Sequence, residues 1–216
     1  MENTRKTKVE QVYHHIRERI NSNEYLPGMH ITESAICKEL NVSRTPAREA
    51  IRKLVADNYL VQTPGLGLVV TNVDLTDFIE VYEIREVLEG VATRLFFDRH
   101  SLAALNKLNN LIEKQTEAFQ NNDSAGFMKY DMEFHYTIFK ECGNKRLYSS
   151  LMNIYDLINR IAFINKDDAK LDKLALYKHR EIYASILNGQ KSDAIEAMQE
   201  HIRQIKAYYL KQYYNL

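Results

Sequence analysis

Beyond residue 72 the apolar positions recur every three or four residues through to the end of the chain, with no strand-like alternation. That rhythm predicts six helices, at about 74–99, 101–121, 124–142, 144–164, 168–188 and 191–213. Between them stand Asn122-Asp123, Gly143-Asn144, Asp167-Asp168 and Asn188-Gly189, residue types that turn the backbone or cap a helix. Long amphipathic helices on short connections predict an antiparallel six-helix bundle.

Before residue 72 the texture is different. All three prolines (Pro27, Pro46, Pro64) lie here, as do Gly28, Gly65 and Gly67. A helix over about 7–22 runs into the breaker Leu26-Pro27-Gly28. A second follows Thr32, an N-cap residue, to Leu40, and a third continues from Ser43 to about Asn58. Leu60–Thr63 and Leu68–Thr71 are β-prone runs around Pro64-Gly65-Leu66-Gly67, which predicts a hairpin. Three helices followed by a hairpin is the order of a winged helix. The fold expected is therefore mainly α: an N-terminal winged helix-turn-helix over 1–72 and a C-terminal antiparallel six-helix bundle over 73–216.

Bulk chemistry narrows this only a little. Lys plus Arg and Asp plus Glu number 29 each, and residues 1–72 hold 10 basic against 8 acidic side chains. Cys37 and Cys142 lie far apart, with neither zinc-knuckle nor CxxC spacing, and no signal peptide is visible. Reduced thiols in a cytoplasmic protein are expected. No apolar run approaches the roughly 18–20 residues that span a bilayer, so no membrane partner is expected.

The turn Glu39-Leu40-Asn41-Val42-Ser43 needs one residue that accepts left-handed φ/ψ, and Asn41 does so. The helix after it opens Ser43-Arg44-Thr45-Pro46-Ala47-Arg48. Its first turn thus presents guanidinium and hydroxyl groups suited to guanine edges and phosphates. Pro46 fits because first-turn amides lack helical partners. Ala47, Ile51, Leu54 and Val55 form the inward stripe, while Arg44, Arg48 and Arg52 recur on another face. Leu26-Pro27-Gly28, Thr32-Glu33 and Leu40-Asn41-Val42-Ser43-Arg44-Thr45-Pro46-Ala47-Arg48-Glu49-Ala50 resemble the GntR family of bacterial regulators. The resemblance covers most of residues 9–71. It implies a homodimer on two-fold related half-sites of double-stranded operator DNA. Thr32, Glu33, Ser43, Arg44, Thr45, Arg48 and Arg52 would lie at the DNA, and the wing near Gly67 would reach the minor groove. Asn41 stands where that family carries glycine, and Leu66 where it often has a basic wing residue.

In the bundle several polar residues occupy apolar stripes. Met128, Asp131, His135 and Ile138 share one helix face; so do Ala175, His179, Ile182 and Ile186, and Ala194, Met198, His201, Ile205 and Tyr208. His179 and His201 each lie 11 residues from Gln190, in the turn between their helices. At about 1.5 Å per residue, both sit about 16 Å from the hairpin end and face each other. Left unpaired in the core, these groups would cost several kcal/mol (order of magnitude). Three imidazoles and a carboxylate form a ligand set for a divalent metal, zinc or nickel above others.

Asp131-Met132-Glu133-Phe134-His135, His179-Arg180 and Met198-Gln199-Glu200-His201 resemble the FCD effector domain of FadR-type GntR regulators, across roughly residues 75–210. The resemblance implies metal binding through Asp131, His135, His179 and His201, and six helices suit that family's shorter, VanR-like branch. Arg85 falls on the first bundle helix's stripe of Phe78, Val81, Tyr82, Leu88 and Ala92 and needs an anion. Glu89, four residues on, is one candidate. The resemblance suggests another, the carboxylate of a small-molecule effector; Arg160 on the fourth helix is a further cation that nothing in its spacing singles out. Tyr208, Tyr209, Tyr213 and Tyr214 are too many rings for one inward face, so packing on another subunit, packing on the N-terminal part and simple exposure all stay open. The leading function is a ligand-responsive transcriptional regulator and not an enzyme; the alternative is a metal-dependent enzyme on a helical bundle.

Overall fold

The computed structural model describes residues 7–72, 74–164 and 168–214; for residue 156 and residues 159–164 it describes the backbone alone. Two compact units emerge from it, changing over between Asp74 and Leu75. In the first, α1 (Lys8–Asn21), α2 (Glu33–Leu40) and α3 (Arg44–Ala56) precede the strands β2 (Leu60–Thr63) and β3 (Gly67–Val70). A two-residue strand that the sequence reading did not include, β1 (His30–Ile31), pairs with the far edge of β3, giving the antiparallel order β1-β3-β2.

Local chemistry sets these boundaries. Thr7 and Glu10 close a reciprocal capping box at the start of α1. The Thr32 hydroxyl accepts from the Ala35 amide, and Asn41 ends α2 in the left-handed region at φ 49°, ψ 49°. Gly65 and Gly67 hold the hairpin loop at φ near +77° and +78°, where a Cβ is strained. Val12, Ile16 and Ile20 of α1 pack with Ala47, Ala50 and Leu54 of α3, closed beneath by Leu60 and Val70. Ala50 fills the place on the α3 stripe that the sequence reading gave to Val55, which is only half-buried. Each large apolar side chain in this core contributes about 1.5–3 kcal/mol by leaving water.

The second unit holds α4 (Leu75–Arg99), α5 (Leu102–Gln120), α6 (Ser124–Glu141), most of α7 (Lys145–Ile164), α8 (Ala169–Leu187) and α9 (Lys191–Tyr214). Among the described contacts, α4 packs on α6 and α9, α5 on α6 and α8, and α8 on α9. Ser101, Asp123 and Asp168 cap α5, α6 and α8 with side-chain oxygens. Asp167, expected in the connection before α8, lies outside the described residues. Among the described residues no helix is long and apolar enough to cross a membrane. In the aromatic tail, Tyr208 donates to Asp168, and Tyr209 meets the edges of the Phe78 and Tyr82 rings. Tyr213 and Tyr214 are exposed.

Candidate functional site

On α3, Arg44, Thr45, Arg48 and Arg52 are exposed, with the three arginines spaced along one face. Ser43 takes the extended backbone of an N-cap without making a cap hydrogen bond. Arg48 Nε donates to Glu33 Oε2 at 2.8 Å, joining the starts of α2 and α3. Thr32 spends its hydroxyl on the α2 cap, and Gly67 lies exposed at the root of β3. Leu66 stands 58% exposed at the tip of the loop, where an apolar side chain offers nothing to a phosphate.

The second site lies inside the bundle. His135 of α6, His179 of α8 and His201 of α9 are all buried. Their ligand-capable nitrogens form one mutually close group, among the described residues. Nε2 of His135 lies 3.2 Å from Nε2 of His179 and 3.3 Å from Nε2 of His201. The rings of His179 and His201 are 4.9 Å apart, so the two do share a level on neighbouring helices. Asp131 borders this group, its Oδ1 3.6 Å from His179 Nε2 and its side chain 28% exposed.

The separations test whether a metal suits the cluster. Zinc–nitrogen bonds of about 2.0–2.1 Å at tetrahedral angles put neighbouring ligand atoms about 3.3–3.4 Å apart. The distances observed are of that size. Burial, with His135 and Arg85 nearby, pushes the His179 imidazole well below its ordinary range. Burial together with His179 and His135 does the same to His201. Both rings are therefore neutral at pH 7, the form that donates a lone pair. Burial pushes the Asp131 carboxyl up.

A buried layer of polar groups stands behind the histidines. Glu89 Oε2 lies 2.7 Å from His135 Nδ1, at ion-pair distance though off the axis of a good hydrogen bond. Its other oxygen accepts from Arg85 Nε at 2.7 Å and from the Tyr155 hydroxyl at 2.9 Å. Arg85 Nη2 also donates to the Tyr155 oxygen at 2.8 Å. Burial works to raise the Glu89 carboxyl, but Arg85 and His135 prevail and hold it at about 2. Of the two partners weighed for Arg85, the structure supplies Glu89, and adds Tyr155. The side chain of Arg160 lies outside the described residues.

One expectation is corrected here. The α4 stripe was expected to include Leu88; instead Leu88 is half-buried and Glu89 points inward, where the Arg85 guanidinium and the Tyr155 hydroxyl satisfy one of its oxygens and the His135 ring lies beside the other. The residues missed are Glu89 as a partner of His135, Tyr155, and the fully buried Gln115 of α5. Gln115 lies on the stripe Leu108, Leu111, Ile112, Ala118, so the signal that found Asp131 was present there too.

Comparison with known proteins follows this division. Residues 8–70 match the family described as bacterial regulatory proteins, gntR family, and residues 80–204 match the FCD domain. The Nta operon transcriptional regulator of Aminobacter aminovorans is 30% identical over 190 residues, covering 85% of this chain and 88% of that protein. The HTH-type transcriptional regulator YdhC of Bacillus subtilis (strain 168) is 28% identical over 193 residues, covering 89% and 84%. The solved structure of E. coli McbR/YncC superposes with a TM-score of 0.80 at 20% identity, covering 97% of this chain and 100% of the other, a likeness of fold. These relatives are regulators of transcription, so the enzyme alternative drops out.

Proposed function

The chain belongs to the GntR family of bacterial regulatory proteins and carries an FCD domain, and from that premise we propose that it is a metal-dependent, effector-responsive regulator. In this reading Arg44, Thr45 and Arg48 read base edges in the major groove. Ser43 and Arg52 hold phosphates, Thr32 and Glu33 set the start of α2 against α3, and the wing at Gly67 follows the minor groove. The protein acts as a homodimer on two-fold related half-sites of operator DNA.

His135, His179, His201 and Asp131 hold one divalent ion, zinc or nickel, inside the bundle. When bound, that ion supplies fixed positive charge toward which a small organic acid can be drawn. Arg85 takes the acid's carboxylate in competition with Glu89. Effector binding favours one of two arrangements of the paired recognition helices and so changes operator affinity.

One observation carries this reading: in a chain whose family regulates transcription, three buried imidazoles converge, with Nε2 of His179 and of His201 at 3.2 and 3.3 Å from Nε2 of His135. The test is calorimetric titration of metal-stripped protein with zinc and nickel, together with gel shifts on the DNA upstream of its own gene. One ion per chain is expected, lost in His179→Ala, and a specific shift altered by members of a panel of small carboxylic acids. A wild-type protein that takes up neither metal, or shows no preference for any DNA, overturns it.

A further inference from the structure

We infer that Gln115 is a positioning residue of the histidine cluster, dictating which nitrogen of His179 carries its proton and tying that ring to Asp131. The inference rests on the metal-binding reading above and extends it to a helix that supplies no ligand. Gln115 is fully buried on α5, among Leu108, Leu111, Ile112 and Ala118 of its own helix. A primary amide buried without partners is costly, so its two ends need explaining. Its Oε1 lies 2.8 Å from His179 Nδ1, and its Nε2 lies 3.2 Å from Asp131 Oδ1.

Donor and acceptor chemistry then fixes the direction of the chain. With Asp131 ionised, and so only an acceptor, the amide NH₂ faces Asp131 and the amide oxygen faces the imidazole. That oxygen also only accepts, so Nδ1 of His179 must carry the hydrogen. The lone pair is left on Nε2, the atom 3.2 Å from His135 Nε2. One side chain on α5 thereby orients two candidate ligands, on α6 and on α8. Hydrogen-bonded partners of this kind orient ligating histidines generally and fix their tautomer. Glu89 Oε2 lies 2.7 Å from Nδ1 of His135, out of line for a hydrogen bond, and Nδ1 of His201 is buried with no hydrogen-bond partner among the described residues.

Two full-length variants separate positioning from packing. Gln115→Leu keeps the volume and removes both polar ends; Gln115→Glu keeps the acceptor toward His179. The first readout is the His179 tautomer in metal-free protein, from imidazole ¹⁵N chemical shifts. The second is zinc affinity, with cobalt(II) absorption reporting ligand geometry. The wild type and Gln115→Glu should hold His179 as the Nδ1–H form, while Gln115→Leu gives a mixture. Zinc affinity should fall about ten- to a hundredfold in Gln115→Leu and by less in Gln115→Glu, which loses only the tie to Asp131. A Gln115→Leu protein that keeps the Nδ1–H tautomer and binds zinc as the wild type does overturns the inference. So does an equal loss of affinity in both variants with the tautomer unchanged. If the wild type binds neither metal, the proposed function fails, and the tautomer measurement on metal-free protein still decides the part played by Gln115.

Discussion

Replacing Glu89 by Gln removes one charge from the core and leaves its neighbours in place. Arg85, 5% exposed, would keep its full charge with the Tyr155 oxygen and a neutral amide for company. The Glu89 carboxyl falls from an ordinary 4.5 to about 2 on folding, and about 1.4 kcal/mol per unit makes that about 3 kcal/mol. Breaking a buried ion pair by removing one partner costs about 3–5 kcal/mol, so two independent routes agree. The sign follows from linkage. A carboxyl depressed in the folded state stabilises fully above pH 4.5, and that contribution is lost as pH falls from there toward 2. Urea unfolding of metal-stripped protein at pH 7 should therefore show Glu89→Gln about 3 kcal/mol less stable. Its stability should also decline less steeply than the wild type's between pH 5 and 3. Removing both charges together, as Arg85→Met with Glu89→Leu, should recover most of the loss, because the stranded guanidinium is gone. A single variant within about 1 kcal/mol of wild type, with the acid slope unchanged, would refute the reasoning.

Three further outcomes are expected. Zinc at about a hundred times its dissociation constant should stabilise the chain by about 2.7 kcal/mol, raising Tm by roughly 5–10 °C in scanning calorimetry, and a chelator should abolish the rise. In metal-stripped protein His179 and His201 are held down by burial, so their imidazoles resist protons that the unfolded chain accepts below pH 6.5. Stability should stay level above that pH and fall below it, by up to about 1.4 kcal/mol per pH unit per ring, as read by denaturant titration; a flat profile down to pH 5 would contradict it. On the DNA side, Arg44→Ala should cost about 1–3 kcal/mol of operator binding and relax preference at one base pair, whereas Arg52→Ala should weaken all sequences alike and lower the salt slope by about one, both measured by anisotropy.

What the sequence revealed and what it concealed divide along a physical line. The helix starts at Thr32 and Ser43, the left-handed Asn41 and the hairpin glycines depend on local backbone chemistry, which single residues encode. Strand β1 is legible only through its partner: His30 and Ile31 are a strand because they lie opposite Val69 and Leu68, and two residues carry no alternation of their own. The histidine cluster was legible because helical periodicity places Asp131, His135, His179 and His201 on inward stripes, and hairpin symmetry sets two of them level. Glu89 and Gln115 fell outside that reading. For Glu89 a periodicity argument assigns a charge to the solvent face unless its partners are known, and two of those, Tyr155 and His135, come from helices distant in the chain; Gln115 does lie on an apolar stripe, but its partner His179 is 64 residues away.

The sharing of Glu89 gives the proposed effector response a physical route. Its Oε1 holds Arg85 and Tyr155 while its Oε2 faces Nδ1 of His135, so one carboxylate serves the cation expected to meet an organic acid and an imidazole expected to hold the metal. A ligand carboxylate that engaged Arg85 would compete with Oε1 and leave Glu89 more of its charge to spend on His135. A carboxylate bound more fully to the second nitrogen of an imidazole raises the basicity of the first, which tightens its hold on a metal. Acid and metal should then strengthen each other's binding, and reciprocity requires the same factor in both directions. Such coupling needs no displacement of a helix at the site itself. It needs only that Arg85 and His135 continue to draw on one buried charge, the arrangement that Glu89→Gln dissolves.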